Sequence, residues 1–207
     1  MVRAFDALVR KTEENVVERK ERGTRQLYEE YAYVLDFLPY GKPSSRPAYR
    51  AGAVVQVTGE SYFTLLEATV RDGVTLGTYD RVYVGKNRRA EITYISGRIN
   101  YEELTTNARM ELANVIERIV LSQEERFIDF FNAAQAITPR MHSLELIPGI
   151  GKKYMWQIIN EREKGPFKSL EDLQSRVNIP NPAKLVTKRI IEELAGESKY
   201  RLFTRAS

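Results

Sequence analysis

The stretch Ile147-Pro148-Gly149-Ile150-Gly151-Lys152-Lys153 restricts the fold of this chain most tightly, because it joins two segments with helical spacing of apolar residues. Pro148 has no amide proton and Gly149 tolerates a positive φ, so the pair ends the helix that we expect to run through Leu144. Gly149 and Gly151 have no Cβ, so another backbone can come close. We therefore expect a hairpin between two helices.

The start of the next helix adds an electrostatic feature to this hairpin. Lys152 opens that helix, where amides without helical acceptors and the positive end of the dipole attract an anion. Lys153 follows directly. A plain turn with glycine caps is the alternative, but it needs neither the second glycine nor the lysine pair. The pattern predicts a hairpin that binds a phosphate.

Pro148 to Gly151 resemble the hairpin of the helix-hairpin-helix family, which binds DNA or RNA through the sugar-phosphate backbone without reading sequence. The resemblance implies that the backbone amides of Gly149, Ile150 and Gly151 hold a phosphate. The side chains of Lys152 and Lys153 would lie beside it.

A second, degenerate copy is predicted after the first. Its signals are a helix from Lys152 to Glu163, a stop at Gly165-Pro166, a cap at Ser169-x-x-Asp172, a turn over Asn178 to Pro182 and a last helix to Leu194. The pair resembles the tandem helix-hairpin-helix domain of RuvA. The second turn has asparagines in place of glycines, and asparagine partly tolerates positive φ. Lys184, Lys188 and Arg189 follow it, as further phosphate contacts or as a solvated stripe.

The N-terminal part is predicted to hold five short strands in about 70 residues, which favours a small closed or half-closed barrel because closure removes exposed edges. The predicted strands are 31–38, 53–58, 62–70, 80–84 and 90–96. An OB-like barrel fits best, and such barrels bind nucleic acid with aromatics and basic loops. Lys86, Arg88 and Arg89 form a basic loop, either a phosphate contact or a solvated turn. The tyrosines are stacking platforms or half-buried barrel residues: Tyr31, Tyr33, Tyr62, Tyr79, Tyr83 and Tyr94.

Two helices are predicted to connect the barrel to the hairpin region. Asn100-x-x-Glu103 caps the first, and Ser122-x-x-Glu125 caps the second, which Thr138-Pro139 closes. The second helix carries an aromatic stripe that we expect to join the two parts, with a partner-protein groove as the alternative: Phe127, Phe130 and Phe131. His142 has no neighbouring ligands, so packing or capping is expected rather than catalysis.

Composition excludes several classes of function. The 207 residues include no cysteine and one histidine, which excludes disulfides and thiolate metal sites and disfavours zinc chemistry. No apolar run approaches the roughly 18 residues of a membrane span. The start lacks the apolar core of a signal peptide, so we expect a cytoplasmic protein with no membrane partner. Basic side chains outnumber acidic ones in 31–100 and 141–207, which fits a polyanion.

The order of segments also resembles a family of uncharacterised archaeal proteins with a barrel-like N-terminal part and a RuvA-type hairpin domain. The resemblance rests on 31–36, 59–67, 124–127, 130–132, 144–153 and 199–203. The resemblance covers most of the chain beyond about residue 27 and implies an α+β fold. From it and the patterns above, we expect a polar arm (1–26), an OB-like barrel (27–99), connecting helices (100–139) and a tandem helix-hairpin-helix domain with a tail (140–207). Members tend to be encoded near ribosome and RNA-polymerase components, which implies a role in translation or RNA processing and ribosome-related partners.

The expected function is non-enzymatic, sequence-independent binding of RNA or DNA, with no cofactor and no metal. A glycosylase is one alternative, but that family places an aspartate about 20 residues past the hairpin, whereas Asp172 lies in a helix cap. Adjacent glutamates at Glu102-Glu103 and Glu124-Glu125 are explained by the helix dipole rather than by metal-dependent nuclease chemistry. A protein-interaction scaffold is the other alternative, in which the tail after Leu194 docks on a partner instead of its own domain.

Overall fold

The computed structural model describes residues 28–41 and 52–205. The predicted polar arm of residues 1–26 lies outside the described residues. The fold is mixed α+β: a curled antiparallel sheet of five strands packs against a set of five helices.

Five strands form one sheet in the order β4-β1-β2-β3-β5, and every neighbouring pair is antiparallel. Their bounds are β1 (Tyr31–Leu38), β2 (Val54–Gly59), β3 (Leu65–Val70), β4 (Arg81–Tyr83) and β5 (Ile92–Arg98). All five predicted strands are therefore present. Within the described residues β4 and β5 are the outer strands and share no ladder, so the sheet is a half-barrel with an open seam.

Strand β1 contributes side chains to two apolar cores, and its register is irregular near the middle of the strand. Val34 faces the inside of the curled sheet, whereas Leu35 faces the helices. The register shifts between Val34 and Asp36, so Phe37 returns to the inner face. This β-bulge brings Asp36 to the helix side of the strand. Its carboxylate accepts hydrogen bonds from Thr105 Oγ1 at 2.6 Å and Asn107 Nδ2 at 2.9 Å.

The helices are α1 (Thr106–Ser122), α2 (Glu124–Ala133), α3 (Lys152–Lys164), α4 (Leu170–Val177) and α5 (Pro182–Leu194). Two single 3-10 turns, Tyr101–Glu103 and Ser143–Leu146, precede α1 and the hairpin. A small antiparallel pair, β6 (Ala136–Thr138) and β7 (Met141–His142), lies between α2 and the second of these turns. No helix in the described part of the chain is long and apolar enough to cross a membrane.

The structure corrects the predicted starts of the connecting helices. The capping box of Asn100 and Glu103 is present, but it opens a 3-10 turn, and α1 begins later with Thr105 as its N-cap. The cap predicted at Ser122 is wrong. Ser122 is the last residue of α1, and its hydroxyl donates to the carbonyl oxygen of Ile119 at 2.9 Å. Its hydroxyl is thus used within the preceding helix, as serine side chains often are.

Two further boundaries differ from prediction around the small hairpin. The second connecting helix ends at Ala133 rather than at Thr138-Pro139, which instead belong to the β6–β7 hairpin. The apolar residues before Pro148 form a single 3-10 turn rather than the end of an α-helix. Periodicity cannot distinguish one 3-10 turn from the last turn of a longer helix.

One apolar core runs from the sheet through the connecting helices to the hairpin region. Phe127 of α2 is fully buried, 6.4 Å from the ring centre of Phe63 at the β2–β3 turn and 5.4 Å from that of Phe203 in the tail. Phe130 also packs on Phe203, at 5.1 Å. The predicted joining role of this aromatic stripe is confirmed.

Candidate functional site

The hairpin consists of two halves with different roles. The Ile150 amide donates to the carbonyl oxygen of Ile147 at 3.0 Å, which closes a four-residue turn. Pro148 occupies the second position of this turn and Gly149, with φ +90°, the third, which is the residue pattern of a type II turn. The Ile150 amide is therefore engaged by the protein's own carbonyl. This corrects its predicted role as a phosphate donor.

Gly149 is required by the conformation and by a close neighbour. Its positive φ is unfavourable for residues with a Cβ. A Cβ there would also lie 3.2 Å from Cδ2 of Leu185, which belongs to α5. The first hairpin thus packs directly beside the first turns of α5, and Lys184 lies next to the contact residue.

Gly151 begins the exposed half of the hairpin, as the N-cap of α3. Its φ of −83° and ψ of −180° suit any residue, and a Cβ there would meet no atom within 4 Å. Neither backbone strain nor packing within the described residues requires a glycine. A side chain at this position normally folds over the first amides of the helix. Glycine leaves those amides uncovered.

The first amides of α3 donate no hydrogen bond to another group among the described residues. The first helical bond is donated by Met155 to the carbonyl oxygen of Gly151, and no side chain caps the helix. The backbone amides of Gly151, Lys152, Lys153 and Tyr154, called here the α3 amide cluster, are left with hydrogen-bonding capacity. The predicted donors Gly149 and Gly151 lie on either side of the engaged Ile150 amide.

The charge at this helix start has the sign that favours an anion. Lys152 and Lys153 are exposed, and the first turn of α3 holds no acidic residue. The start of α4 has the opposite charge, because Glu171 and Asp172 lie in its first turn. It is also capped, since the Ser169 side chain accepts the Asp172 amide at 3.0 Å. Carboxylates already complement the dipole of α4, whereas the dipole of α3 faces solvent with two lysines beside it.

The second hairpin has the predicted backbone but not a free helix start. Asn178 and Asn181 adopt positive φ values of 52° and 38°, as expected for asparagine in place of glycine. The Asn181 side chain then accepts the Lys184 amide at 3.1 Å and caps α5. Lys184 and Lys188 are exposed and lie one turn apart on the same helix.

Arg189 does not reach the surface, which corrects its predicted role in binding. It is 5% exposed, and its Nε lies 2.9 Å from a carboxylate oxygen of Glu193, which is 1% exposed. Its guanidinium also donates to the carbonyl oxygen of Tyr200. The same Glu193 carboxylate accepts the amides of Leu202, Phe203 and Thr204 at 2.7–3.1 Å. The tail therefore folds back on its own domain.

The basic loop after β4 lies far along the chain from the hairpin. It lines a separate cavity that no hairpin residue lines. Lys86 Nζ lies 4.3 Å from the ring centre of Tyr28, and Arg89 Nε donates to the carbonyl oxygen of Val84 at 3.3 Å. Lys86, Arg89 and Arg98 line a cavity of about 230 Å³. Arg88 is exposed. Arg98 of β5, which the sequence did not single out, lines the same cavity.

Most of the tyrosines considered as stacking platforms are occupied by the protein itself. Tyr31 packs edge-on against Tyr83, with the Arg81 guanidinium 3.5 Å from its ring centre. The Tyr79 hydroxyl hydrogen bonds to a Glu111 carboxylate, which raises the pKa of the tyrosine. Tyr33 and Tyr62 are half-buried, whereas Tyr94 on β5 is 62% exposed.

An open cavity beside α3 was not anticipated from the sequence. It measures about 480 Å³ and lies between the β6–β7 hairpin and α3. Trp156, the sole tryptophan, lines it and is 57% exposed. Lys152, one helical turn earlier, lines the same cavity. The i, i+4 spacing of these two residues was visible in the sequence, but nothing there showed that the tryptophan lies at the surface.

His142 caps the turn before the hairpin, as predicted. Its Nδ1 accepts the Leu144 amide at 3.1 Å, and Glu145 accepts the His142 amide at 2.9 Å. Burial and then the nearby Arg162 charge lower the pKa of His142, and Glu145 opposes this shift. The neutral imidazole, with its proton on Nε2, is the form that fits this cap.

The carboxylates considered for catalysis have structural partners. Asp172 accepts the Lys168 amide at 3.0 Å and pairs with Arg176 at 3.3 Å, which lowers its pKa. Glu103 accepts the Asn100 amide at 2.8 Å, and Glu124 accepts the Leu170 amide at 2.6 Å. In the part of the chain that the structure describes, no group of three His, Asp or Glu residues is placed to hold a metal ion.

Known proteins resemble this chain over most of its length. The model of a family described as "Protein of unknown function (DUF655)" matches residues 28–205. The uncharacterized protein MJ0038 of Methanocaldococcus jannaschii is 43% identical over 182 residues, or 87% of this chain and 82% of that protein. The crystal structure of Af1531 from Archaeoglobus fulgidus is 50% identical with a TM-score of 0.81, and the match covers 86% of this chain and 100% of that one. The predicted kinship with uncharacterised archaeal proteins is confirmed.

Proposed function

Because the chain belongs to the family described as protein of unknown function DUF655, we propose a function from the geometry of the hairpin. The protein is a non-enzymatic binder of RNA or DNA that contacts the sugar-phosphate backbone without reading base sequence. We assign the helices from Lys152 to Leu194 to a tandem helix-hairpin-helix unit and the curled sheet to an incomplete OB-like barrel.

The observation that carries the proposal is the uncovered start of α3. The α3 amide cluster presents donors at the positive end of a 13-residue helix, and Lys152 and Lys153 flank it. Amides at a helix start and lysine side chains together suit a phosphate group. Gly151 supports this interpretation, because its lack of a side chain is explained by access to these amides and not by strain or packing.

The chemistry of these groups favours contacts to phosphate over contacts to bases. Backbone amides and lysine side chains fix a nucleic-acid strand in place but carry no base-specific pattern of donors and acceptors. Lys184 and Lys188 extend the positive surface along α5, whose Leu185 lies against the first hairpin. We therefore expect weak sequence preference and strong salt dependence of binding.

The hydrogen bonds of the carboxylates also support a non-enzymatic role. Asp172, Glu103 and Glu124 accept backbone amides at helix starts. Carboxylates that accept backbone amides stabilise the fold. A glycosylase would instead need an aspartate directed toward a flipped base.

The test is a titration of fluorescently labelled RNA and DNA oligomers, single-stranded and duplex, followed by anisotropy at several salt concentrations. The wild-type protein should bind with an affinity that falls as salt rises. Lys152→Ala should weaken binding and reduce the slope of log affinity against log salt by about 1. Lys164→Ala is the matched control, because Lys164 is exposed at the other end of the same helix and pairs with Glu161. Affinity that does not respond to salt, or equal effects of the two variants, would reject the proposal.

A further inference from the structure

Trp156 is exposed although its side chain is one of the most costly to leave in water. It is 57% exposed on α3, and Ile137 of the neighbouring β6 is 38% exposed. Tryptophan combines a large apolar ring with one polar N–H group and is enriched at binding interfaces. In the described chain, no ring contact engages Trp156, unlike the paired Tyr31 and Tyr83 of the sheet.

The cavity beside Trp156 has the size and lining expected of a site for a flat ring. Its volume of about 480 Å³ falls within the usual range for ligand pockets. Met141 of β7 and Met155 and Ile159 of α3 supply apolar lining. Trp156 lines the cavity and is partly exposed, so its indole is available for a flat ring to stack on.

Charged groups connect this cavity to the proposed phosphate site. Lys152 lines the cavity and also begins α3, and Arg140 lines the opposite side, at the turn of the β6–β7 hairpin. Glu145 is also in the lining, but its carboxylate accepts the His142 amide. Four residues along a helix correspond to a rise of about 6 Å. A phosphate at the α3 amide cluster thus places the adjoining nucleotide near Trp156.

We propose that this cavity accepts an unpaired nucleobase of a single-stranded segment, which stacks on Trp156 while the neighbouring phosphate binds the α3 amide cluster. The inference rests on the proposed function and deepens it, since it assigns the class of substrate. A base in a duplex is already stacked and paired, so it cannot enter the cavity without being extruded. Base stacking on an aromatic ring tolerates any sequence, because every base has a π-face.

Tryptophan fluorescence provides a direct readout, because Trp156 is the sole tryptophan in the chain. The protein is titrated with three oligomers of equal length: a single strand, its duplex, and a single strand with abasic sites. Binding is followed by anisotropy of a label and stacking by quenching of Trp156. We expect the base-bearing single strand to quench the emission, and the duplex and abasic strand to bind without comparable quenching.

Substitutions separate stacking from phosphate binding. Trp156→Leu keeps an apolar side chain but removes the ring, so affinity for the single strand should fall about tenfold while affinity for the duplex and the abasic strand is retained. Trp156→Phe should restore part of the loss. Circular dichroism of each variant checks that the fold is unchanged. Met110→Leu, at an exposed position of α1, is the control for a surface change.

The outcomes distinguish this inference from the proposed function. The base site is rejected, and backbone binding stands, if the single strand binds without changing Trp156 emission and if Trp156→Leu binds it as tightly as the wild type does. Equal quenching by duplex and single strand would also reject it. If no nucleic acid binds at all, the proposed function fails, and the base site fails with it.

Discussion

The Ile150 amide is bonded to the carbonyl oxygen of Ile147, and this bond divides the hairpin into a structural half and an exposed half. The buried Ile150 side chain anchors the first half in the core. The exposed half starts one residue later, at Gly151. The two glycines of the motif therefore serve different purposes, and substitutions at them should affect stability and binding differently.

Gly149→Ala should lower the free energy of unfolding by about 1–2 kcal/mol, because the positive φ of Gly149 is strained for a residue with a Cβ. The 3.2 Å approach to Leu185 adds to the cost. Urea denaturation measures the change. Gly151→Ala, where φ is ordinary and the space is open, is the matched control and should cost well under half as much. Equal losses at both positions would contradict the division of the hairpin.

Gly151→Asp should separate stability from binding. A carboxylate at the N-cap accepts the first amides of α3 and complements the dipole, so stability should stay unchanged or rise by up to about 1 kcal/mol. The same carboxylate covers the α3 amide cluster and repels phosphate, so affinity for nucleic acid should fall at least tenfold. Thermal unfolding and anisotropy give the two readouts. Gln174→Glu adds the same charge at an exposed position of α4 and should leave the affinity nearly unchanged.

Glu193→Gln should release the tail and destabilise the protein by about 3–5 kcal/mol, since it leaves Arg189 buried without its charge partner. The amides of Leu202, Phe203 and Thr204 should then exchange with solvent faster, as hydrogen exchange would measure. Glu192→Gln, at the adjacent position, should have little effect on these amides. Unchanged protection in Glu193→Gln would contradict the role of this carboxylate in holding the tail.

Acid should weaken the turn before the hairpin through His142. Its pKa is lowered in the folded state, so the unfolded chain binds the proton more tightly. The free energy of unfolding should therefore fall as pH drops below about 6.5, the ordinary pKa of histidine, and this contribution should be constant above it. As the single histidine, His142 gives an unambiguous NMR titration. His142→Asn keeps an N-cap acceptor and should lose this part of the pH dependence. A folded-state pKa above 6.5 would contradict the prediction.

Helix-capping and helix-terminating residues made the helices around the hairpins predictable. Gly165-Pro166, the Ser169 cap and Pro182 fix where α3 ends and where α4 and α5 begin, and the structure places these boundaries as expected. These residues act through local backbone chemistry, which a sequence shows directly. The exposure of Lys184 and Lys188 followed from helical spacing in the same way.

Features that depend on tertiary contacts were not predictable. In the sequence, Arg189 looks like part of a surface stripe. It is buried because the tail folds over α5, where Glu193 pairs with Arg189 and accepts the Phe203 amide of the tail. The β6–β7 pair is too short for a strand pattern. Trp156 would ordinarily be assigned to a core, and its exposure depends on how the small hairpin lies against α3. The engaged Ile150 amide likewise depends on the turn formed around Gly149.

The most direct measurement is a ¹H–¹⁵N NMR titration of the labelled protein with a short nucleic-acid oligomer at low salt. The amide signals of Gly151, Lys152, Lys153 and Tyr154 should move downfield as their protons bond to phosphate, and the Ile150 signal should move much less because its amide is already bonded to Ile147. Added salt should reverse the shifts. If these four signals stay in place while the oligomer binds elsewhere, the α3 amide cluster is not the binding site.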